Sequence, residues 1–140
     1  MSKNILAFSL LALLLLIAGC GSRSSSVDTG KVIKSAPIGN LTIALSSSSG
    51  QIKHGGYEFF ITFKDSSGKL VDVGAAALTF HMPQMASMPA MNDSATLTTT
   101  DTPGVYSAKA NIEMAGEWQA QVSYEGPAGI GQTSFSVTAR

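Results

Sequence analysis

Cysteine is almost missing from this 140-residue chain: there is one, Cys20, close to the start. Disulfides, thiolate zinc sites and cysteine nucleophiles are thereby excluded from the body of the protein. Charge is sparse too, at 13% of residues, and nine Lys plus Arg balance nine Asp plus Glu without a basic run. Nucleic acid therefore finds no electrostatic footprint here. Histidine occurs twice, and neither His54 nor His81 forms a convincing pair with a carboxylate that could activate a nucleophile. Asp93 near His81 does not suffice, since a nucleophile and an oxyanion site are absent, so the chain reads as a non-enzymatic protein.

A retained membrane span is also missing. The apolar run from Ile5 to Ile17 follows Lys3, is too short to span a bilayer, and ends at Ala18-Gly19. This is the form of a secretory signal peptide over residues 1–19. Ile17-Ala18-Gly19-Cys20 resembles the bacterial lipobox, which implies cleavage before Cys20 and lipid attachment to its sulfur. The expected location is the cell envelope, anchored to a membrane by lipid and facing outside the cytoplasm. Gly21 after the cysteine, where Asp is not found, points to the outer membrane if the cell has two.

Residues 20–40 are rich in Ser, Gly and Lys, including Ser24-Ser25-Ser26, with no sustained apolar period. They read as a flexible tether, with a mean span of about 25 Å for a random coil of that length. From Leu41 onward short alternating segments are separated by Gly, Asp, Ser and Pro, the pattern of strands. Seven are predicted: Leu41 to Ser46, Tyr57 to Lys64, Ala77 to Met82, Ala95 to Thr100, Val105 to Ile112, Glu117 to Tyr124, and Gln132 to Thr138. Asp65-Ser66-Ser67-Gly68 and Asp101-Thr102-Pro103-Gly104 supply turn chemistry between them. The expected fold over 41–140 is an all-β, seven-stranded antiparallel sandwich of immunoglobulin-like or cupredoxin-like type.

What the chain does have is methionine in an unusual place. Met82, Met85, Met88 and Met91 recur every third residue in His81-Met82-Pro83-Gln84-Met85-Ala86-Ser87-Met88-Pro89-Ala90-Met91. Two prolines keep this stretch from being a helix or a central strand, so packing gives little reason for four flexible apolar side chains. Thioethers are soft donors that select Cu(I), and they need no deprotonation to bind it. Met85, Met88 and Met91 are the leading candidate ligands for copper, expected as Cu(I). Met82 continues the face of Leu78 and Phe80 and reads either as a ligand or as core. His81 is either a nitrogen donor or a solvated strand-end histidine, and Met114 either a remote sulfur ligand or a cap beneath Trp118.

Strand parity gathers these residues. If successive strands alternate in direction, the loops after the first, third and fifth predicted strands share one end, and they hold His54, the run from His81 to Met91, and Met114. The opposite loops contain neither histidine nor methionine. With the first strand starting from the tether, the methionine-bearing end is expected to face away from the membrane.

The ordered combination Met82-Pro83-Gln84-Met85, Pro103-Gly104-Val105-Tyr106 and Met114-Ala115-Gly116-Glu117-Trp118, together with Gly68-Lys69-Leu70-Val71 and Ala75-Ala76-Ala77-Leu78-Thr79, resembles the YtkA-like domains, which are related to FixH-type proteins. The resemblance covers roughly Tyr57 to Thr138. It implies a small β-sandwich on the outer side of a membrane that handles copper, for delivery or for resistance, beside a copper-donating or copper-accepting envelope protein. Two departures stand out: a lipid replaces the membrane helix of FixH-type proteins, and Ala86-Ser87 follows Met85 where many relatives have Gly-His. A reading of a different class is an interaction module in which the methionine loop is a hydrophobic contact patch.

Overall fold

A computed structural model describes residues 27–140. The expected signal peptide, Cys20 and the first residues of the expected tether lie outside the described residues. Nine strands are present among those described: β1 (Lys31–Ile38), β2 (Leu41–Ser47), β3 (Gly55–Lys64), β4 (Ala75–Met82), β5 (Met91–Ser94), β6 (Thr96–Thr99), β7 (Val105–Ile112), β8 (Gly116–Gly126) and β9 (Gly129–Ala139). They form two antiparallel sheets, β1-β2-β3-β7-β6 and β5-β4-β8-β9, stacked as a sandwich.

Alternation builds it. On β8, Trp118, Ala120, Val122 and Tyr124 are buried while Gln119 and Gln121 face water. On β3, Phe59, Ile61 and Phe63 point inward. The inner faces meet through aromatic contacts: Phe59 lies 5.4 Å from Phe80 and Phe63 lies 5.7 Å from Tyr124 across the sheets, while Tyr106 packs 5.7 Å from Phe63 within the first sheet. Edge-on and tilted ring pairs of this kind add about 0.5–1.5 kcal/mol each beyond burial.

All seven predicted strands are present, and two more join them. β1 occupies Lys31–Ile38, inside the segment expected to be tether, so the folded domain starts earlier than Leu41. A β-bulge between Val32 and Lys34 breaks its alternation, and Lys34 and Pro37 give it the composition of a linker. β5 occupies Met91–Ser94 within the expected methionine loop, pairing Met91 with Met82. It then passes through Ala95 into β6 in the other sheet, so two four-residue strands together make one crossing of the domain.

That single crossing preserves the loop parity. Gly55 pairs with Ile112, Gly116 pairs with Ala139, and Ile52 bridges Ala139, which sets the loops carrying His54, Met85 to Met88, and Met114 at one end. The direction argument is overturned by β1. Lys31 pairs with Ser47, so the chain enters β1 at the methionine-bearing end and crosses the domain twice, not once, before returning to it. Upstream of Lys31 the chain bends at Gly30, whose N–H is accepted by Asp28 Oδ1 at 2.9 Å and whose φ is +69°. A Cβ there would collide with the Ser47 carbonyl. Val27 and Thr29 consequently lie over the outer face of the first sheet, beside Ala44, Ser46, Thr62 and Leu70.

The opposite end is tied by Tyr106. Its hydroxyl lies 2.9 Å from the Gly74 carbonyl and 3.0 Å from Asp72 Oδ1, able to donate to either. Burial, and then the neighbouring Asp72 carboxylate, raise its pKa above the usual 10.0. The folded state thus holds this proton more tightly than the unfolded state. That stabilisation is whole below about pH 10 and is lost as pH rises through the higher folded value. Tyr106→Phe is expected to cost about 1 kcal/mol in urea unfolding at pH 7, and to make the alkaline loss of stability shallower.

Candidate metal-binding turn

Pro83 and Pro89 bracket a tight turn at the tip of the β4–β5 hairpin. Met88 N donates to the Met85 carbonyl at 2.7 Å, and Met85 N donates back to the Met88 carbonyl at 3.2 Å. Ala86 has φ +46°, and it is the one non-glycine residue with positive φ among those described. A left-handed first central residue followed by an ordinary second one is the sign pattern of a type II′ turn, a position glycine normally takes. An alanine there costs on the order of 1 kcal/mol or more, which the two flanking hydrogen bonds and the prolines offset.

The consequence is chemical. Directly opposed residues of an antiparallel pair project to the same side, with Cβ atoms about 4.5–5.5 Å apart. Met85 and Met88 are therefore two long thioethers rooted side by side on a pre-bent backbone. Met85 is 49% exposed and Met88 half-buried, so neither belongs to the core.

The remaining candidates separate by face. Met82 is 1% exposed and part of the core cluster. Its terminal methyl would lie 3.0 Å from a Cβ added to Gly116, whose φ of +141° also suits glycine. Of the two readings left open by the sequence, the core one describes where Met82 sits. Met91, across from it, is half-buried and packs against the same core. His81 is on the other face of the pleat, where its Nδ1 hydrogen-bonds Asn92 Oδ1 at 2.7 Å, so it is not brought to the Met82–Met91 side. Met114 is half-buried against the core, and its carbonyl accepts the Trp118 Nε1–H at 3.1 Å, which fixes the turn before Gly116. His54 is at the same end, exposed, with Nδ1 3.3 Å from the Arg140 carbonyl.

No group of three or more His, Cys, Asp and Glu side chains is assembled among the described residues, so nitrogen and carboxylate donors are not clustered. Sulfur is what this end concentrates. A groove of about 490 Å³ lies elsewhere, lined by Glu58, Asp93, Lys109 and Asn111 among others and by no methionine. The Asp93 carboxylate there accepts the Asn111 N–H at 2.6 Å, linking the second sheet to β7. Sequence reasoning missed this link because Asp93 was read as part of a loop.

A family model described as YtkA-like matches residues 35–123. The chain belongs to the YtkA-like family. Comparison with curated proteins and with solved structures gave no match. The YtkA-like span starts within β1 and ends within β8, so it takes in the methionine turn and Met114 and leaves β9 outside.

Burial sets how the methionines respond to truncation. Met82→Ala is expected to lower stability by about 2–5 kcal/mol, as large-to-small core changes do. Met85→Ala should change it by no more than about 0.5 kcal/mol, read by urea unfolding of the two variants side by side.

Proposed function

We propose that this YtkA-like protein is a non-enzymatic, lipid-anchored envelope protein that binds copper as cargo, in the Cu(I) state, at the turn carrying Met85 and Met88. The observation that supports the reading is the pairing of these two methionines across a strained, proline-bracketed turn outside the core. Flexible side chains normally lose much freedom when they converge on one ion, and a turn already closed by its own hydrogen bonds reduces that loss. Thioether donors match Cu(I) in softness and remain ligands across a wide pH range. Met91 and Met114, at the same end and half-buried against the core, are the further sulfur donors in this reading. Met82 supports the hairpin from within the core, and His81 serves its own face. Cys20, through the lipid that its lipobox-like context implies, would hold the domain at a membrane beside an envelope partner that gives or takes copper.

Replacing Met85 and Met88 together by leucine keeps apolar bulk and removes sulfur. Cu(I) affinity, measured by competition with a chromogenic chelator under reducing conditions, is expected to fall at least tenfold, with an unchanged far-ultraviolet circular dichroism spectrum. Affinity equal to that of the parent would overturn the proposal and leave the turn as a hydrophobic contact patch, which leucine preserves.

A further inference from the structure

Four strands form the edges of this sandwich, and three of them are blunted against pairing. β1 carries Lys31, Lys34, a bulge and Pro37; β5 is four residues long and carries Asp93; β6 is four residues long and lies beside the Thr100–Val105 turn. β9 has none of these protections. It runs eleven residues, Gly129–Ala139, in unbroken register with β8, and contains no charged residue, no proline and no bulge. Edge strands of that description are usually protected, because a row of unpaired N–H and C=O groups invites another strand.

The direction of those groups can be read at the end of β9. Arg140 N–H is donated to the Ile52 carbonyl and the Arg140 carbonyl accepts from His54 N–H, both away from β8. Backbone polarity alternates along a strand, so Ile130, Gln132, Ser134, Ser136 and Thr138 also turn their N–H and C=O groups outward. β1 lies against β9 from the facing sheet, but no hydrogen-bonded ladder joins the two among the described residues.

We infer that β9 is a homodimerisation edge, pairing antiparallel with β9 of a second copy about a two-fold axis beside Thr133. Three observations select this occupant. An antiparallel edge is its own complement: Ile130 opposes Ser136 of the partner subunit and Gln132 opposes Ser134 of the partner subunit, so four of the five outward residues of each β9 are used, and the fifth, Thr138, lies beside the Ile52 bridge. The segment is uncharged, so juxtaposition with itself brings no like charges together within the ladder. The axis is normal to the sheets, so it turns one copy end for end yet leaves corresponding faces on the same side. Val27 and Thr29 lie over the outer face of the first sheet in each copy, and both N-terminal segments then leave from one side, as two chains held at one membrane require. The edge alone is smaller than a standard interface, so association depends on local concentration, which a shared membrane raises.

Thiol cross-linking on the full chain in isolated membranes tests this. In the proposed pairing Thr133 faces Thr133 of the partner subunit as a non-hydrogen-bonded pair, close enough for a disulfide. Thr133→Cys oxidised with diamide is expected to give covalent dimer at least tenfold above the parent, which retains Cys20, and above Thr98→Cys on the far edge strand β6. Adding Ser134→Pro removes one outward N–H and leaves the β8 ladder intact, and should reduce the dimer at least fivefold. Ser134→Lys, which sets two like charges across the axis, should do the same and serves if the proline variant loses strand content. Cross-linking of Thr133→Cys no greater than that of Thr98→Cys, or unaffected by a folded Ser134 variant, would overturn the inference. Because neither readout involves copper, this failure is distinct from failure of the metal proposal.

Discussion

Each strand of this protein has one face that must leave water, and the contact of the two dry faces governs everything else in the structure. Phe59 against Phe80 and Phe63 against Tyr124 set the separation of the sheets, and Tyr106 flanks Phe63 from within its own sheet. Trp118 is buried near the methionine end and holds the Met114 turn through its indole N–H. The same requirement sorts the four regularly spaced methionines. Met82 falls on the inward parity of β4 and is consumed by the core. Three residues on, past Pro83, the chain has left the sheet, and Met85 is released from that duty. A repeat of three in a hairpin with a period of two cannot keep all its members on one side, so the series divides into a structural pair, Met82 with Met91, and an outer pair, Met85 with Met88.

Much of the architecture was legible because inward and outward residues alternate strictly where strands are central. β7, with Tyr106, Ala108, Ala110 and Ile112 inward, was bounded correctly from sequence, and the ends of β3, β4, β8 and β9 moved by only a few residues. The two strands that were missed are edges. In β1 the bulge shifts parity between Val32 and Lys34, so the inward residues Ile33, Ala36 and Ile38 are spaced by three and then by two, and no sustained period of two is visible. In β5 the sequence Met-Asn-Asp-Ser has the composition of a turn, and only its register with β4 reveals a strand. The cost of missing β1 was more than a miscount, because one additional crossing reversed the end at which the chain enters the fold.

For the candidate site, the co-location of the loops was foreseeable and the grouping of side chains was not. Parity placed His54, the methionine run and Met114 at one end. It could not tell that His81 and Met82, adjacent in sequence, serve opposite faces, or that Ala86 would take a left-handed conformation that closes Met85 onto Met88. That closure depends on two backbone hydrogen bonds, and local sequence announces them only through the flanking prolines.

The bridge between Ile52 and the last residues of β9 carries a practical implication. Because Arg140 is stapled beside His54, any polypeptide fused after it emerges next to the sulfur-rich tip. An oligohistidine purification handle added there would introduce competing imidazoles within reach of the thioethers and distort any metal titration. A handle inserted in the Pro127–Ala128 hairpin at the far end of the sandwich would leave that tip chemically unaltered.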